Sequence, residues 1–176
     1  MLADRLAGLV EGATPVTEFG RLTVDVPASR WVDAATTYRD DPAADLSCFD
    51  WLSAVDELDA GFAVVLSVYS ATHHHRALVR TRVPRAEPRL ATLTGVFAGA
   101  DWHERETYEM FGIGFDGHPA LAPLLLPDGF EGHPLRKDFV LAARVVKDWP
   151  GEKEPGGDRP RRRVRPLGVP ENWEQP

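Results

Sequence analysis

The first forty residues contain two helical stretches with an extended hairpin between them. Apolar residues recur at helical spacing over residues 2–11, before Gly12, and again over residues 29–40, before Pro42. Between them, residues 16–27 predict a β-hairpin with its turn near Gly20. The side chains expected to face the core are Leu2, Leu6, Leu9 and Val10 of the first helix, Leu22, Val24 and Val26 of the second strand, and Trp31, Ala34, Ala35 and Tyr38 of the second helix.

Three further extended runs follow, over residues 46–55, 62–69 and 76–83. In the last run, Ala77, Val79 and Thr81 alternate with Leu78, Arg80 and Arg82, as in a strand with two different faces. The order helix, two strands, helix, three strands predicts a two-layer α+β domain over residues 1–98. Its helices are expected to pack on one face of a mainly antiparallel or mixed sheet.

Two more helices are predicted before the periodicity ends. Residues 89–100 predict a third helix, and residues 102–111 predict a short fourth helix. Asp101 followed by Glu104 matches a capping box at the start of this short helix, and Gly112 supplies its C-terminal stop.

The stretch FDGHPALAPLLLPDGFEGHPLRKDF, residues 115–139, contains the tripeptide GHP twice, and we call it the GHP segment. Proline after each histidine favours extended geometry, and the apolar run between the two tripeptides lacks a clear period. Such a strip would expose its leucines to water unless another surface covered it. We therefore predict that residues 99–142 form a short helix and an extended docking segment whose ends are fixed by the two GHP turns.

Residues 143–176 differ in composition from the rest of the chain. They include many prolines and glycines together with Arg159, Arg161, Arg162, Arg163 and Arg165. This composition predicts a flexible tail that cannot bury enough surface to offset its ordering entropy.

Composition limits the classes of function. The 176 residues carry a net charge of -7, which gives no overall basic character for nucleic acid. No apolar run approaches the roughly 18 residues of a membrane span, and we expect a cytoplasmic chain. The single cysteine, Cys48, cannot hold an iron–sulfur cluster, which takes about four thiolates, so any redox centre must belong to a partner.

Gly112 to Gly117, GIGFDG, matches the dinucleotide fingerprint GxGxxG in letters alone. That fingerprint follows a strand and opens a helix, whereas here a predicted helix precedes it and His118-Pro119 follows. The glycines are better explained by positive φ at a helix exit and in a tight loop.

Metal binding is a second alternative. His103-Glu104 begins the zinc pattern HExxH, but Thr107 occupies the place of the second histidine. The run His73–His75 falls between two predicted strands, where a solvated turn explains it. A metal-dependent enzyme that uses His103, Glu104, His118 and His133 stays open if at least three of these groups converge in space.

The stretch ADWHERETYEMFGIGFDGHPALAPLLLPDGFEGHPLRKDF resembles the signature region of the 30 kDa-type (C-type) subunit family of respiratory complex I, the proton-translocating NADH:quinone oxidoreductase. Weaker similarity extends back through the earlier strands, so the resemblance covers roughly residues 1–142. It implies a peripheral-arm subunit without catalytic residues or a cofactor of its own, on the cytoplasmic side of the membrane. FMN and iron–sulfur clusters are then expected in partner subunits, and the 49 kDa-type (D-type) subunit is the expected neighbour.

The resemblance also implies which residues contact the partner. The predicted docking residues are Glu104, Arg105, Glu106, His118, Pro119, Leu124, Leu125, Leu126, Glu131, His133, Pro134, Arg136, Lys137 and Asp138. Arg136 is expected to offer its planar guanidinium to a partner carboxylate from a position outside the core.

The chain departs from the family pattern at three places. Ala120 stands where the family often has Asp, Ala122-Pro123 replace a frequently basic pair, and Glu109 stands for the usual Asp. Because of these changes, the polar contacts expected for the family in the middle of the segment are open to question in this chain. Related subunits occur in membrane-bound hydrogenases and similar complexes, and an equivalent subunit of such an assembly is the alternative within this class.

Overall fold

A five-stranded sheet and three α-helices form most of the computed structural model, which describes residues 1–140. The helices are α1 Leu2–Leu9, α2 Trp31–Asp40 and α3 Ala100–Phe111. The strands are β1 Thr14–Glu18, β2 Arg21–Asp25, β3 Cys48–Asp56, β4 Phe62–Ser70, β5 His75–Val83, β6 Arg89–Ala91 and β7 Gly114–Asp116, with 3-10 turns at Ala28–Arg30 and Leu58–Ala60. The predicted tail over residues 143–176 lies outside the described residues.

The large sheet has the strand order β1-β2-β5-β4-β3. Neighbouring strands are antiparallel except β2 and β5, which run parallel with Val24 opposite Val79. A mixed sheet with helices confirms the predicted α+β class. The alternation predicted for β5 is also confirmed, because Ala77, Val79 and Thr81 are buried while the intervening residues are more exposed.

The main core lies between one face of this sheet and the helices. Leu52, Leu66, Val79 and Val24 lie side by side across four strands, and all are buried. The four α2 side chains predicted to face the core are buried as well. Burial of this apolar surface is the main favourable contribution to folding.

The prediction of a helix over residues 89–100 is wrong. Residues 89–91 form β6, which pairs in parallel with β7, and turns connect it to α3. The buried side chains of Leu90, Leu93 and Phe97 have helix-like spacing, which explains the error. The strand partner of β6 lies more than twenty residues further along the chain, so local periodicity does not show the pairing.

The predicted boundary at residue 98 does not divide the described part of the chain. Phe111, Ile113 and Phe115 are buried in the same core as the sheet residues, and Phe111 packs edge-on against Phe62 of β4 with ring centroids 6.2 Å apart. Residues 1–140 accordingly belong to one compact unit. Helix α3 and the start of the GHP segment therefore complete the domain and are not appended to it.

Tyr38 joins α2 to α1 through a buried hydrogen bond, and we expect its removal to be costly. Its hydroxyl donates to the carbonyl oxygen of Leu6 at 3.0 Å, and burial raises the pKa of Tyr38 to about 12. Tyr38→Phe leaves a buried carbonyl unsatisfied and should lower the free energy of unfolding by about 1–3 kcal/mol in urea denaturation. Tyr69→Phe, which removes a hydroxyl from a more exposed site, is the matched control and should have a smaller effect. Equal effects of the two substitutions would contradict this assignment.

Candidate functional site

The last turn of α3 is capped by the second GHP tripeptide and the residues after it. The final four carbonyls of an α-helix lack partners within the helix. Here each has a donor: Gly112 N to Tyr108 O (2.8 Å), His133 Nδ1 to Glu109 O (2.8 Å), Leu135 N to Met110 O (3.2 Å) and Arg136 Nε to Phe111 O (2.5 Å). Because a carbonyl only accepts, His133 carries its proton on Nδ1. GHPLR is thus a capping element for this chain's own helix.

Gly112 makes this cap possible. It adopts φ +72°, the left-handed conformation that closes many helices. A Cβ atom at this position would lie 2.4 Å from Arg136 Nη2 and 2.5 Å from His133 Nε2. Any side chain here would displace both capping groups.

The first GHP tripeptide holds the opposite end of α3. The His118 side chain is fully buried, and its Nδ1 accepts a hydrogen bond from Ala120 N at 3.1 Å. Its proton is therefore on Nε2, which lies 3.1 Å from Asp101 Oδ1. The two GHP histidines thus clasp the first and last turns of one helix.

Two side chains of α3 hold the middle of the GHP segment. Arg105 donates from Nε to Ala122 O at 3.0 Å and from Nη2 to Pro123 O at 3.1 Å. Since these contacts use backbone oxygens, the replacement of a basic pair by Ala122-Pro123 does not remove them.

Glu109 makes the complementary contact with the leucine run. Its carboxylate accepts from Leu125 N at 2.8 Å and Leu126 N at 2.9 Å. Desolvation acts to raise the pKa of Glu109, but the backbone donors outweigh it and hold this pKa below its usual value. The apolar run is therefore fixed by its backbone amides, which leaves its side chains available for packing.

A buried carboxylate on β3 anchors the end of the segment. Asp56 is 2% exposed and accepts from Lys137 N at 2.9 Å and from Arg85 Nη1 at 2.7 Å. The second Arg85 nitrogen, Nη2, donates to Asp138 at 2.7 Å. Desolvation raises the pKa of Asp56, but its hydrogen bonds and the Arg85 charge outweigh this effect and lower the pKa overall. Asp138, a predicted docking residue, thus forms an ion pair with Arg85 of the same chain.

Glu104 also lies inside the chain, so its predicted contact with a partner is corrected. The residue is fully buried, and its carboxylate accepts from Leu93 N at 2.6 Å and from the Thr92 hydroxyl. Burial raises the pKa of Glu104. The predicted capping box is wrong as well, because the helix begins at Ala100 and Glu104 binds the preceding loop.

The remaining predicted docking residues divide by exposure. Pro119, Leu125, Glu131 and Lys137 are exposed, whereas Glu106, Leu124, Leu126 and Pro134 are half-buried. Within residues 99–140, four large apolar side chains that were not among the predicted docking residues are exposed: Trp102, Phe130, Leu135 and Val140. Phe130 and Leu135 follow turn glycines and prolines, a signal that could have marked them as outward-facing. The outward side of the GHP segment therefore presents an apolar surface, while its inward side is committed to α3.

The proposed metal ligands bind separate parts of the backbone. His103 Nδ1 lies 3.2 Å from Leu52 O of the edge strand β3, whereas His118 contacts Asp101 in the first turn of α3 and His133 caps the last turn. Within residues 1–140, no three His, Cys, Asp or Glu side chains are arranged to hold a metal ion. The convergence that the metal-enzyme alternative requires is thus not found in this part of the chain.

The glycine pattern over residues 112–117 also has a structural explanation. Gly112 ends α3, Gly114 begins β7 and Gly117 adopts φ +83° in the turn that follows. A helix precedes the motif and a turn follows it, whereas a dinucleotide site has a strand before the motif and a helix after it.

Comparisons with known proteins identify the family. The family model for the respiratory-chain NADH dehydrogenase 30 kDa subunit matches residues 24–145, and the chain belongs to this family. The C subunit of the NADH-quinone oxidoreductase of Roseiflexus castenholzii is 41% identical over 149 residues, which cover 83% of this chain and 86% of that protein. The same subunit of Streptomyces coelicolor is 36% identical over 172 residues, which cover 91% and 68%, respectively.

Solved structures share the fold. A trypsin-resistant fragment of Nqo5 is 30% identical with a TM-score of 0.60, and the match covers 69% of this chain and all of the fragment. A chain from an archaeal membrane-bound sulfane sulfur reductase aligns with a TM-score of 0.71 over 85% of this chain and 94% of its own length. The sequence identity with this reductase chain is 22%, so the comparison shows only that the two chains share a fold.

The capping role of Arg136 changes what a substitution there should do. Arg136→Glu removes a hydrogen-bond donor from the C-terminus of α3 and places a negative charge at the negative end of the helix dipole. It also removes the guanidinium group, which lies 5.2 Å from the centroid of the Phe62 ring. We expect a loss of about 2–4 kcal/mol in the free energy of unfolding of the isolated chain. Lys137→Glu is the matched control, because this exposed residue contributes its backbone N–H, and it should change stability by less than about 0.5 kcal/mol. Equal stabilities of the two variants would show that the guanidinium does not hold the helix end.

Glu104 should make the stability depend on pH in a defined direction. The pKa of Glu104 is higher in the folded state than in the unfolded state. The contribution of Glu104 to the free energy of unfolding is therefore complete at a pH below its unfolded-state pKa and is lost as the pH rises through its folded-state pKa. Glu104→Gln abolishes this titration and can still accept from Leu93 N. We therefore expect the stability of the variant relative to the parent, measured by urea unfolding, to increase as the pH rises from the usual glutamate pKa through the raised folded-state pKa. A relative stability that falls over this interval would contradict the assignment.

Proposed function

We propose that the chain is a non-catalytic peripheral-arm subunit of a proton-translocating NADH:quinone oxidoreductase. In this proposal it supports the 49 kDa-type subunit beside the quinone site. The observation that carries the proposal is the contrast between the two sides of the GHP segment. Its inward side is hydrogen-bonded to the chain's own domain at both GHP tripeptides and at the leucine run, and its outward side exposes apolar side chains.

The exposed surface has the character of a docking site. Leu125, Phe130, Leu135 and Val140 are 59%, 41%, 52% and 71% exposed, respectively, and lie within one short stretch. Apolar side chains clustered on a soluble surface commonly mark contacts with another protein. Because the backbone amides of Leu125 and Leu135 are hydrogen-bonded to α3, little ordering entropy is lost at these two positions when a partner binds.

The chemistry of the chain supports a scaffolding role. Its single cysteine cannot supply the thiolates of a cluster, so iron–sulfur centres belong to partner subunits in this proposal, which assigns FMN to a partner as well. The isolated chain should therefore neither oxidise NADH nor reduce quinone.

Association with the membrane would come through the assembled complex, on its cytoplasmic side. Over residues 1–140, no helix combines the length and apolarity required to cross a bilayer. The described part of the chain would then be peripheral and held by its neighbouring subunits.

Association with the 49 kDa-type partner tests this proposal. Leu125→Asp with Leu135→Asp places two charges on the outward side without removing the backbone hydrogen bonds of either residue. We expect at least a tenfold loss of affinity in co-purification and in surface binding measurements, because each charge would be desolvated without a partner. The control is Phe19→Asp, which alters a fully exposed residue in the turn between β1 and β2, at the opposite edge of the sheet from β3.

Two results would contradict the proposal. Unchanged affinity of the double variant, with the thermal unfolding temperature preserved, would show that the outward leucines do not dock. NADH oxidation or quinone reduction by the pure chain, after removal of trace flavoprotein, would show that the chain is itself catalytic.

A further inference from the structure

A small pocket opens between the last turns of α3 and the second half of the GHP segment. It encloses about 200 Å³ and is lined mainly by apolar and aromatic side chains, among them Tyr108, Pro123, Leu126, Pro127 and Phe130. A volume of this size accommodates the end of one large side chain but is smaller than the roughly 300–1,000 Å³ typical of small-molecule sites.

The walls of the pocket are held in place from inside the chain. Leu126 N and the His133 ring both bind Glu109, one through its carboxylate and the other through its carbonyl. Phe130 N donates to Pro127 O at 3.1 Å, and the Phe130 ring stacks on Phe139 with centroids 6.0 Å apart. The pocket is therefore preformed, which reduces the entropic cost of filling it.

The rim of the pocket is acidic. Asp128 lines it and Glu131 lies three residues further on, and both are exposed. Neither carboxylate forms an ion pair with any other residue among 1–140. The guanidinium groups of Arg105 and Arg136 donate to backbone carbonyls. Asp128 on the rim, and Glu131 between the lining residues Phe130 and Gly132, thus carry two negative charges that no ion pair among residues 1–140 neutralises.

We propose that the pocket receives a basic segment of the 49 kDa-type partner. One apolar side chain of that segment would enter between Tyr108 and Phe130, and an adjacent Lys or Arg would lie against Asp128 and Glu131. Charge complementarity favours this occupant, because an acidic or neutral segment would leave both carboxylates without compensation at the interface. The inference rests on the proposed docking function and adds the chemistry of the partner's contact.

Charge reversal at the rim tests the inference with the full chain. Asp128→Lys with Glu131→Lys should lower the affinity for the immobilised 49 kDa-type partner by roughly tenfold or more at low salt. The matched control is Glu18→Lys with Asp59→Lys, which makes the same change in net charge at two exposed carboxylates that form no ion pair among residues 1–140. Parental affinity should fall as salt is raised, and the milder pair Asp128→Asn with Glu131→Gln should weaken that dependence.

The apolar half of the contact has its own variant. Phe130→Ala removes one wall of the pocket, and Phe19→Ala removes a fully exposed aromatic ring elsewhere. We expect roughly a tenfold loss of affinity for the first variant and less than twofold for the second.

The outcomes separate this inference from the proposed function. Loss of binding in Leu125→Asp with Leu135→Asp, while the parent binds, supports docking through the outward side of the segment. If in the same assay the Asp128, Glu131 and Phe130 variants bind like their controls, the pocket inference is overturned although docking stands. If charge reversal tightens binding, the partner presents acidic groups and the inference is also overturned. If the parental chain does not bind the partner at all, the proposed function itself fails.

Discussion

The arrangement of the GHP segment depends on the unsatisfied backbone groups at the end of one helix. Helix α3 ends with four carbonyls that need donors, and three of those donors come from residues more than twenty positions further along the chain. Unpaired polar groups at a buried helix end are costly, so this requirement fixes where residues 133–136 must lie. His118 at the other end of the helix and Arg105 and Glu109 between them then determine the path of the intervening chain.

The Glu109 carboxylate explains why Leu125 can face outward while Leu124 and Leu126 stay half-buried. Leu125 and Leu126 are held by their N–H groups on the Glu109 carboxylate, so their side chains are not needed to anchor the backbone. The polar atoms of the segment are thus directed to the chain's own helix, and in the proposed function its exposed apolar side chains contact a partner. The Asp56–Arg85–Asp138 network secures the far end of the segment on the sheet.

Most of the domain could be predicted from local patterns, whereas the attachment of the GHP segment could not. The alternation in β5 and the four buried positions of α2 follow from period-2 and period-3.6 spacing, and the structure confirms both. The β6–β7 pairing, the burial of Glu104 and the contact between Asp56 and Lys137 join residues from distant parts of the sequence. For residues such as Arg136, the sequence indicates an interacting side chain but cannot say whether its partner lies in the same chain or in another.

Amide hydrogen exchange in the isolated 176-residue chain tests most directly whether the GHP segment is held on α3 before any partner binds. The amides of Leu125, Leu126, Leu135 and Lys137 each have an acceptor within the domain, whereas no acceptor is found among residues 1–140 for the amides of Gly129 and Glu131. We expect the first group to be protected to a degree similar to the amides of α3, and the second group to exchange quickly. Rapid exchange throughout residues 120–137 in the isolated chain would contradict the clasped arrangement and would mean that the segment becomes ordered on its partner.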